Sequence, residues 1–212
     1  MDIIRHYIAG KPYQPAPERT GEVTNSATGE VTAHVAMATP AEVDLAVKAA
    51  KDAFTSWRHS SLAKRTEVMF KFRDLYARHA DEVAAMLTRE HGKVLFDARG
   101  EVQRGLEVVE FACGIPQLLK GELSENVSTG VDCYQIRQPL GVVAGITPFN
   151  FPAMVPQWMY PIAIACGNTF VLKPSEQDPS PANLTAELLQ EAGLPEGVFN
   201  VVHGDKVAVD RI

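Results

Sequence analysis

The chain has 212 residues, 46% hydrophobic and 22% charged, with 20 Lys and Arg against 26 Asp and Glu for a net charge of −6. At roughly 150 residues per domain this is one to two domains, long enough to bury a sizeable core. The acidic balance argues against a nucleic-acid coat or a polybasic membrane binder, and the composition excludes collagen, coiled-coil and disordered chains.

The first 35 residues read as short strands and turns, with Tyr7–Pro12 a strand entering a turn and Asn25–Val31 a loop before another strand. Thr39-Pro40-Ala41-Glu42 is a capping box with proline at the first helical position. Behind it Val43, Ala46, Val47, Ala50, Phe54 and Trp57 recur at helical spacing. A second helix carries Leu62, Met69, Phe72, Leu75, Tyr76 and His79 on one stripe. A third, near 81–90, stops at His91-Gly92. A fourth runs from about Phe96 to Cys113 with Val102, Leu106, Val109 and Cys113 aligned.

From Gly121 to Pro139 the pattern changes to Val127, Val131, Tyr134 and Ile136 among Ser, Thr and Gly, which predicts a β-hairpin. A strand–helix alternation follows: strand 140–147, helix 152–165, strand 168–173, helix 180–192, strand 197–203. Apolar strands linked by helices specify an α/β fold, a parallel sheet covered on both faces. The expected organisation is 1–122 as strands and helices, 123–139 as a hairpin, and 140–212 as an α/β core.

All the Asp, Glu, Lys and Arg residues fall outside Gln138–Leu172, a run of 35 residues. Its five prolines and the polar Asn150 and Asn168 argue against a membrane span, so a buried centre is expected. Three cysteines (Cys113, Cys133, Cys166) with no CxxC spacing point to a reducing compartment without disulfides. Cys113 and Cys166 stand in apolar settings, where burial makes a thiol inert. The N-terminal MDIIRHYIAG has neither the apolar core of a signal peptide nor the Arg/Ser-rich look of a transit peptide, so cytoplasm is the expected location. No HExxH and no tight His/Cys cluster is present, and no metal site is expected.

In a doubly wound sheet, ligands bind beyond the carboxyl ends of the strands. Two turns occupy such positions. In Gly145–Pro152, Asn150 reads either as a helix N-cap or as an amide aimed into a cleft to stabilise an oxyanion. In Leu172–Gln177, Lys173 is the first charge after the gap. It is either a solvated loop residue or a donor to an anionic or hydroxyl-rich ligand. Glu176 suits the hydroxyls of a ribose and disfavours a 2′-phosphate, which favours NAD over NADP, although no GxGxxG fingerprint is present.

The stretch GITPFNFPAMVPQWMYPIAIACGNTFVLKPSEQDPSPANLTAELLQEAGLPEGVFNVVHG closely resembles the aldehyde dehydrogenase superfamily. LTREHGK, VQRGLEVVEFACGIPQLLKGE and PFNFP resemble its CoA-acylating methylmalonate-semialdehyde branch. The resemblance extends over essentially the whole chain from Tyr7. It implies a Rossmann-like parallel sheet with flanking helices and a protruding oligomerisation hairpin. Asn150 then matches the oxyanion-hole amide, and Thr147 and Phe149 match cofactor-contacting positions. Lys173 and Glu176 match the ribose-binding pair, with Gln177 adjacent. Phe151 and Trp158 match positions lining an aldehyde tunnel, and Arg104 matches an arginine that holds a substrate carboxylate. By periodicity Arg104 lies off the apolar stripe of its helix, where a solvated surface arginine is the plain reading.

The implied reaction is covalent. A cysteine thiolate attacks a semialdehyde, hydride passes to NAD, and coenzyme A takes the acyl group with loss of CO2. A homodimer or homotetramer is implied. The segment carrying the nucleophilic cysteine is expected beyond Ile212, so the 212 residues alone are not expected to perform the covalent step. A relative using water as acyl acceptor, and a non-catalytic nucleotide-binding or oligomerising fragment, stand as alternatives.

Overall fold

The computed structural model describes residues 2–212. Five short strands come first: β1 (Ile3–Ile4), β2 (Tyr7–Ile8), β3 (Lys11–Pro12), β4 (Thr20–Thr24) and β5 (Val31–Ala36). Four long helices follow: α1 (Pro40–Trp57), α2 (Leu62–Arg78), α3 (Ala80–His91) and α4 (Leu95–Cys113), with the single turn α5 (Ile115–Leu118) behind them. Strands β6 (Leu123–Ser128) and β7 (Val131–Tyr134) make the hairpin. The remainder alternates as β8 (Val142–Ile146), α6 (Met154–Gln157), α7 (Tyr160–Ala165), β9 (Thr169–Lys173), α8 (Ser180–Glu191), β10 (Phe199–Val201) and α9 (Lys206–Arg211).

The start of α1 is built as its sequence predicts. Thr39 Oγ1 accepts the Glu42 N–H at 3.3 Å, and Glu42 Oε2 accepts the Thr39 N–H at 2.8 Å. Two donors that a helix start leaves open are thereby satisfied. Helix α3 stops at Gly92 in the left-handed conformation (φ 87°).

The main sheet has the order β3-β2-β10-β9-β8. Strands β8, β9 and β10 are parallel, and β9 is buried along its whole length. Its side chains alternate between two cores, as the pleat requires. Phe170 and Leu172 join the larger core with Phe72, Leu87, Val109, Tyr160 and Leu189, while Val171 joins Val43, Ala46, Ala50 and Ala208 on the other face. The sheet is therefore covered by helices on both sides, as expected for α/β architecture.

Three expectations need correction. The sheet is mixed: β2 pairs antiparallel with β10, and β3 antiparallel with β2, so the N-terminal strands extend it. The helix expected over 152–165 is two short ones, α6 and α7. Pro156 and Pro161 withhold backbone donors, which suits the first turn of a helix and not the interior of one 14-residue helix. The charge-free run is not uniformly buried either. Among the described residues strand β8 pairs with β9 alone and lies at an edge of the sheet, with Leu140 91% and Ile146 48% exposed. The hairpin β6–β7 is exposed at every strand position.

Candidate active site

Parallel pairing of β8 and β9 in the register Ile146↔Lys173 brings the carboxyl ends of the two strands side by side. The Thr147 N–H donates to the Lys173 carbonyl at 3.1 Å and ties the two turns together. Both turns leave the sheet on the edge where α/β folds bind ligands.

In the second turn Lys173 is buried, and its Nζ donates to Glu176 Oε2 at 2.9 Å. The Glu176 side chain remains 37% exposed, which leaves acceptor capacity facing outward. A held ammonium beside a partly open carboxylate offers one donor and one acceptor at close quarters, a set that fits a vicinal diol. Gln177 is exposed, and its backbone N–H donates to Ser175 Oγ at 3.1 Å. Thr147 is buried, and its Oγ1 has no partner among the described residues. Phe149 is half exposed and stacks on His91, with ring centroids 6.5 Å apart.

A cleft of about 550 Å³ opens between α4 and the first turn, lined by residues that include His91, Lys93, Glu101, Arg104, Asn150 and Phe151. The structure thus brings Arg104 together with Asn150 and Phe151, which lie 46 and 47 positions further along the chain. Arg104 is exposed and makes no ion pair among the described residues, so its fork of donors is free for a ligand. Trp158, half exposed at the end of α6, does not line this cleft.

The helix-cap reading of Asn150 fails. Helix α6 begins at Met154, behind Ala153, with no side-chain cap of its own. The acceptor at that helix start is instead Glu101 of α4, whose Oε1 takes the N–H groups of Ala153 and Met154 at 2.9 and 3.1 Å. Lys93 forms an ion pair with the other Glu101 oxygen, donates to the Asn150 carbonyl at 3.1 Å, and sits 4.7 Å from the centre of the Phe151 ring. Among the described residues the Asn150 side chain has no hydrogen-bond partner. Close approach of α4 and α6 requires Gly105, where a Cβ would lie 1.7 Å from Gln157 Oε1.

Sequence reasoning missed Lys93 and Glu101. One signal for Glu101 was available: it falls on the buried stripe of α4 with Ala98, Val102, Gly105 and Leu106, where an acid calls for a partner. Asp178, buried behind the second turn, was also missed. Burial above all, with Glu90 and Glu101 nearby, pushes its carboxyl up to about 7 against the opposing Ser175 hydrogen bond. None of the cysteines lines the cleft. Burial pushes the Cys113 thiol up to about 11 and raises that of Cys166, and Cys133 is exposed on β7.

Residues 13–212 match the aldehyde dehydrogenase family. Over all 212 residues the chain is 55% identical to malonate-semialdehyde dehydrogenase of Pseudomonas aeruginosa, of which it spans 42%. The crystal structure of methylmalonate-semialdehyde dehydrogenase from Oceanimonas doudoroffii superposes with a TM-score of 0.97 at 55% identity, covering all of this chain and 43% of that one. A Sinorhizobium meliloti protein crystallised with NAD gives the same TM-score at 51% identity, again over the whole chain and 43% of its own. The chain thus spans less than half the length of the relatives it matches. With this agreement of sequence and fold, the chain belongs to the aldehyde dehydrogenase family.

Proposed function

We propose that this chain is the N-terminal part of an NAD-dependent, CoA-acylating dehydrogenase. The reaction oxidises malonate or methylmalonate semialdehyde to acetyl- or propionyl-coenzyme A with loss of CO2. The observation that carries the reading is one cleft holding Arg104 with Asn150 and Phe151, whose turn is tied through the Thr147 N–H to the turn that carries the Lys173–Glu176 pair.

Lys173 and Glu176 would hold the adenosine ribose hydroxyls, with Gln177 adjacent and Thr147 and Phe149 contacting the cofactor from the neighbouring turn. The Glu176 carboxylate repels a 2′-phosphate, which favours NAD over NADP. Bound there, NAD supplies the acceptor for the hydride that leaves the aldehyde carbon. The Asn150 amide donates to the aldehyde oxygen as it becomes an oxyanion under attack by a cysteine thiolate. Cys113, Cys133 and Cys166 lie outside the cleft, and on this reading the thiolate comes from the longer protein. Arg104 pairs in bidentate fashion with the carboxylate of the substrate, which selects an acidic semialdehyde. Phe151 bounds the cleft beside them.

The domain division follows the same reading: residues 1–122 and 140–212 form the cofactor-binding part, and the 123–139 hairpin forms an oligomerisation arm. An isolated two-stranded hairpin is marginal in water, so one carrying exposed Leu123, Val127, Val131 and Tyr134 calls for cover. A homodimer or homotetramer in the cytoplasm provides it.

The test is an assay of the full-length protein with malonate semialdehyde and NAD, with and without coenzyme A. NADH and acetyl-CoA forming together, dependent on coenzyme A, are expected. NADH formed without need of coenzyme A and without an acyl-CoA product would overturn the acylating step. No NADH with or without coenzyme A would overturn the whole reading.

A further inference from the structure

A second pocket, of about 270 Å³, lies at the base of the hairpin and shares no residue with the cleft or the nucleotide turns. Arg58, His59 and Ser60 line it from the α1–α2 connection, Arg65 from α2, Arg137 from the chain below the hairpin, and Cys166 from the end of α7. No Asp or Glu is among its lining residues, and none of the three arginines makes an ion pair among the described residues. In a chain of net charge −6 such a concentration of unbalanced positive charge is against the general trend.

Arg65 is the informative member. It is buried, with 6% of its surface exposed. One of its donors, on Nη2, reaches the Arg58 carbonyl at 2.8 Å, while Nε has no partner among the described residues. The guanidinium lies flat against Gly167 (φ +96°), where a Cβ would come within 2.6 Å of it. The backbone is therefore shaped to receive this side chain at a place where burial is costly for an uncompensated cation. The pocket also adjoins the first turn of α2, behind the Ser61 N-cap, where the helix dipole favours an anion.

We propose that Arg58, Arg65 and Arg137 form a binding site for the phosphate group of a phosphorylated small molecule. The planar forks of three arginines match tetrahedral oxyanions in bidentate geometry, and a doubly charged phosphate balances them better than a single carboxylate does. Leu62, Leu119 and Pro139 line the remaining wall and give the carbon skeleton of the ligand an apolar surface.

Titration of the full-length protein with inorganic phosphate, followed by calorimetry at constant ionic strength, tests the site. Saturable binding is expected, weakened at least tenfold in Arg58→Ala and in Arg137→Ala. Since Arg65→Ala would leave a hole in the fold, Arg65→Lys is the third variant. It keeps the charge, removes the fork, and is expected to weaken phosphate by a similar factor. Acetate, titrated in parallel, is expected to bind at least tenfold more weakly than phosphate. The NAD dissociation constant is expected to stay unchanged in Arg58→Ala and Arg137→Ala, which separates this site from the proposed dehydrogenase reading. Absence of saturable phosphate binding, equal affinity in the variants, or acetate binding as tightly as phosphate would each overturn the proposal. So would a fall in oligomer mass in Arg137→Ala without any phosphate binding by the parent, because the arginines would then serve an acid of a neighbouring copy.

Discussion

The Lys93 ammonium bridges the Glu101 carboxylate and the main-chain carbonyl of Asn150. The two side chains are only 10% and 1% exposed, so the pair acts with little screening by water. Glu101 meanwhile holds the N–H groups of Ala153 and Met154. The turn that presents Asn150 is thus clamped at both ends from the α3–α4 region, on which its own short helix does not depend for packing alone.

Removing one partner leaves a buried charge uncompensated, at a cost of about 3–5 kcal/mol. Lys93→Ala should therefore lower the urea midpoint of unfolding markedly. Glu101→Gln keeps an acceptor for the two N–H groups but leaves the Lys93 ammonium, only 10% exposed, without its partner, so it too should lower that midpoint. Both variants should lower kcat while the NAD dissociation constant is preserved. Unchanged kcat in folded Glu101→Gln would limit the clamp to a structural role.

Asn150→Ala should lower kcat of the full-length protein by roughly 10²–10³, the usual effect of losing one oxyanion donor. Its side chain caps no helix and has no hydrogen bond among the described residues, so the thermal midpoint should stay within a degree or so of the parent. A destabilised variant with normal turnover would reverse that assignment.

Lys173→Ala and Glu176→Ala should each weaken NAD. A hydrogen bond to a charged group contributes about 1.5–3 kcal/mol, or roughly a 10- to 100-fold rise in Kd. Equilibrium titration followed by NADH or protein fluorescence measures this. Glu176→Ala leaves the buried Lys173 ammonium without its partner, and Lys173→Ala removes a buried side chain, so both should also cost stability.

Stability should depend on pH through two buried groups acting in opposite directions. Burial foremost, then His6 stacked 5.9 Å away, pulls His203 down from its ordinary 6.5 to about 3. The unfolded chain takes up that proton first, so stability is lost as pH falls from about 6.5 toward 3. Asp178 is pushed from 3.8 up to about 7. The folded chain keeps a proton that the unfolded chain releases, so stability is lost as pH rises from about 4 to 7. Asp178→Asn should remove the second slope and gain on the parent between pH 4 and pH 8, whereas His203→Gln should flatten the acid side. Urea midpoints across that range would show it, and parallel curves for parent and variants would contradict both assignments.

What could be read from the sequence depended on whether the signal was local. The capping box at Thr39 and the buried strand around Val171 are set by neighbouring residues, and both formed as their patterns require. The antiparallel strands β2 and β3 are two residues each, too short to carry a period. Residues 152–165 are apolar enough for one helix, and only the placement of their prolines divides them. The cleft was half visible. Asn150, Phe151 and Arg104 came from resemblance to a family, while the Lys93–Glu101 clamp joins α4 and the α3–α4 connection to a distant turn and exists only once the chain has folded.

Strand β8 has a consequence for handling the protein. One side of it is a row of main-chain donors and acceptors with no strand partner among the described residues, beside exposed Leu140 and Ile146. Natural sheets usually guard such a margin with lysine, a bulge or proline. Here the 35 residues without a charge begin just before it, so no charged gatekeeper stands beside the strand, and only Pro139 and Pro148 flank it. Wherever that margin is left bare, residues 140–146 are where one molecule would seed the misassembly of the next.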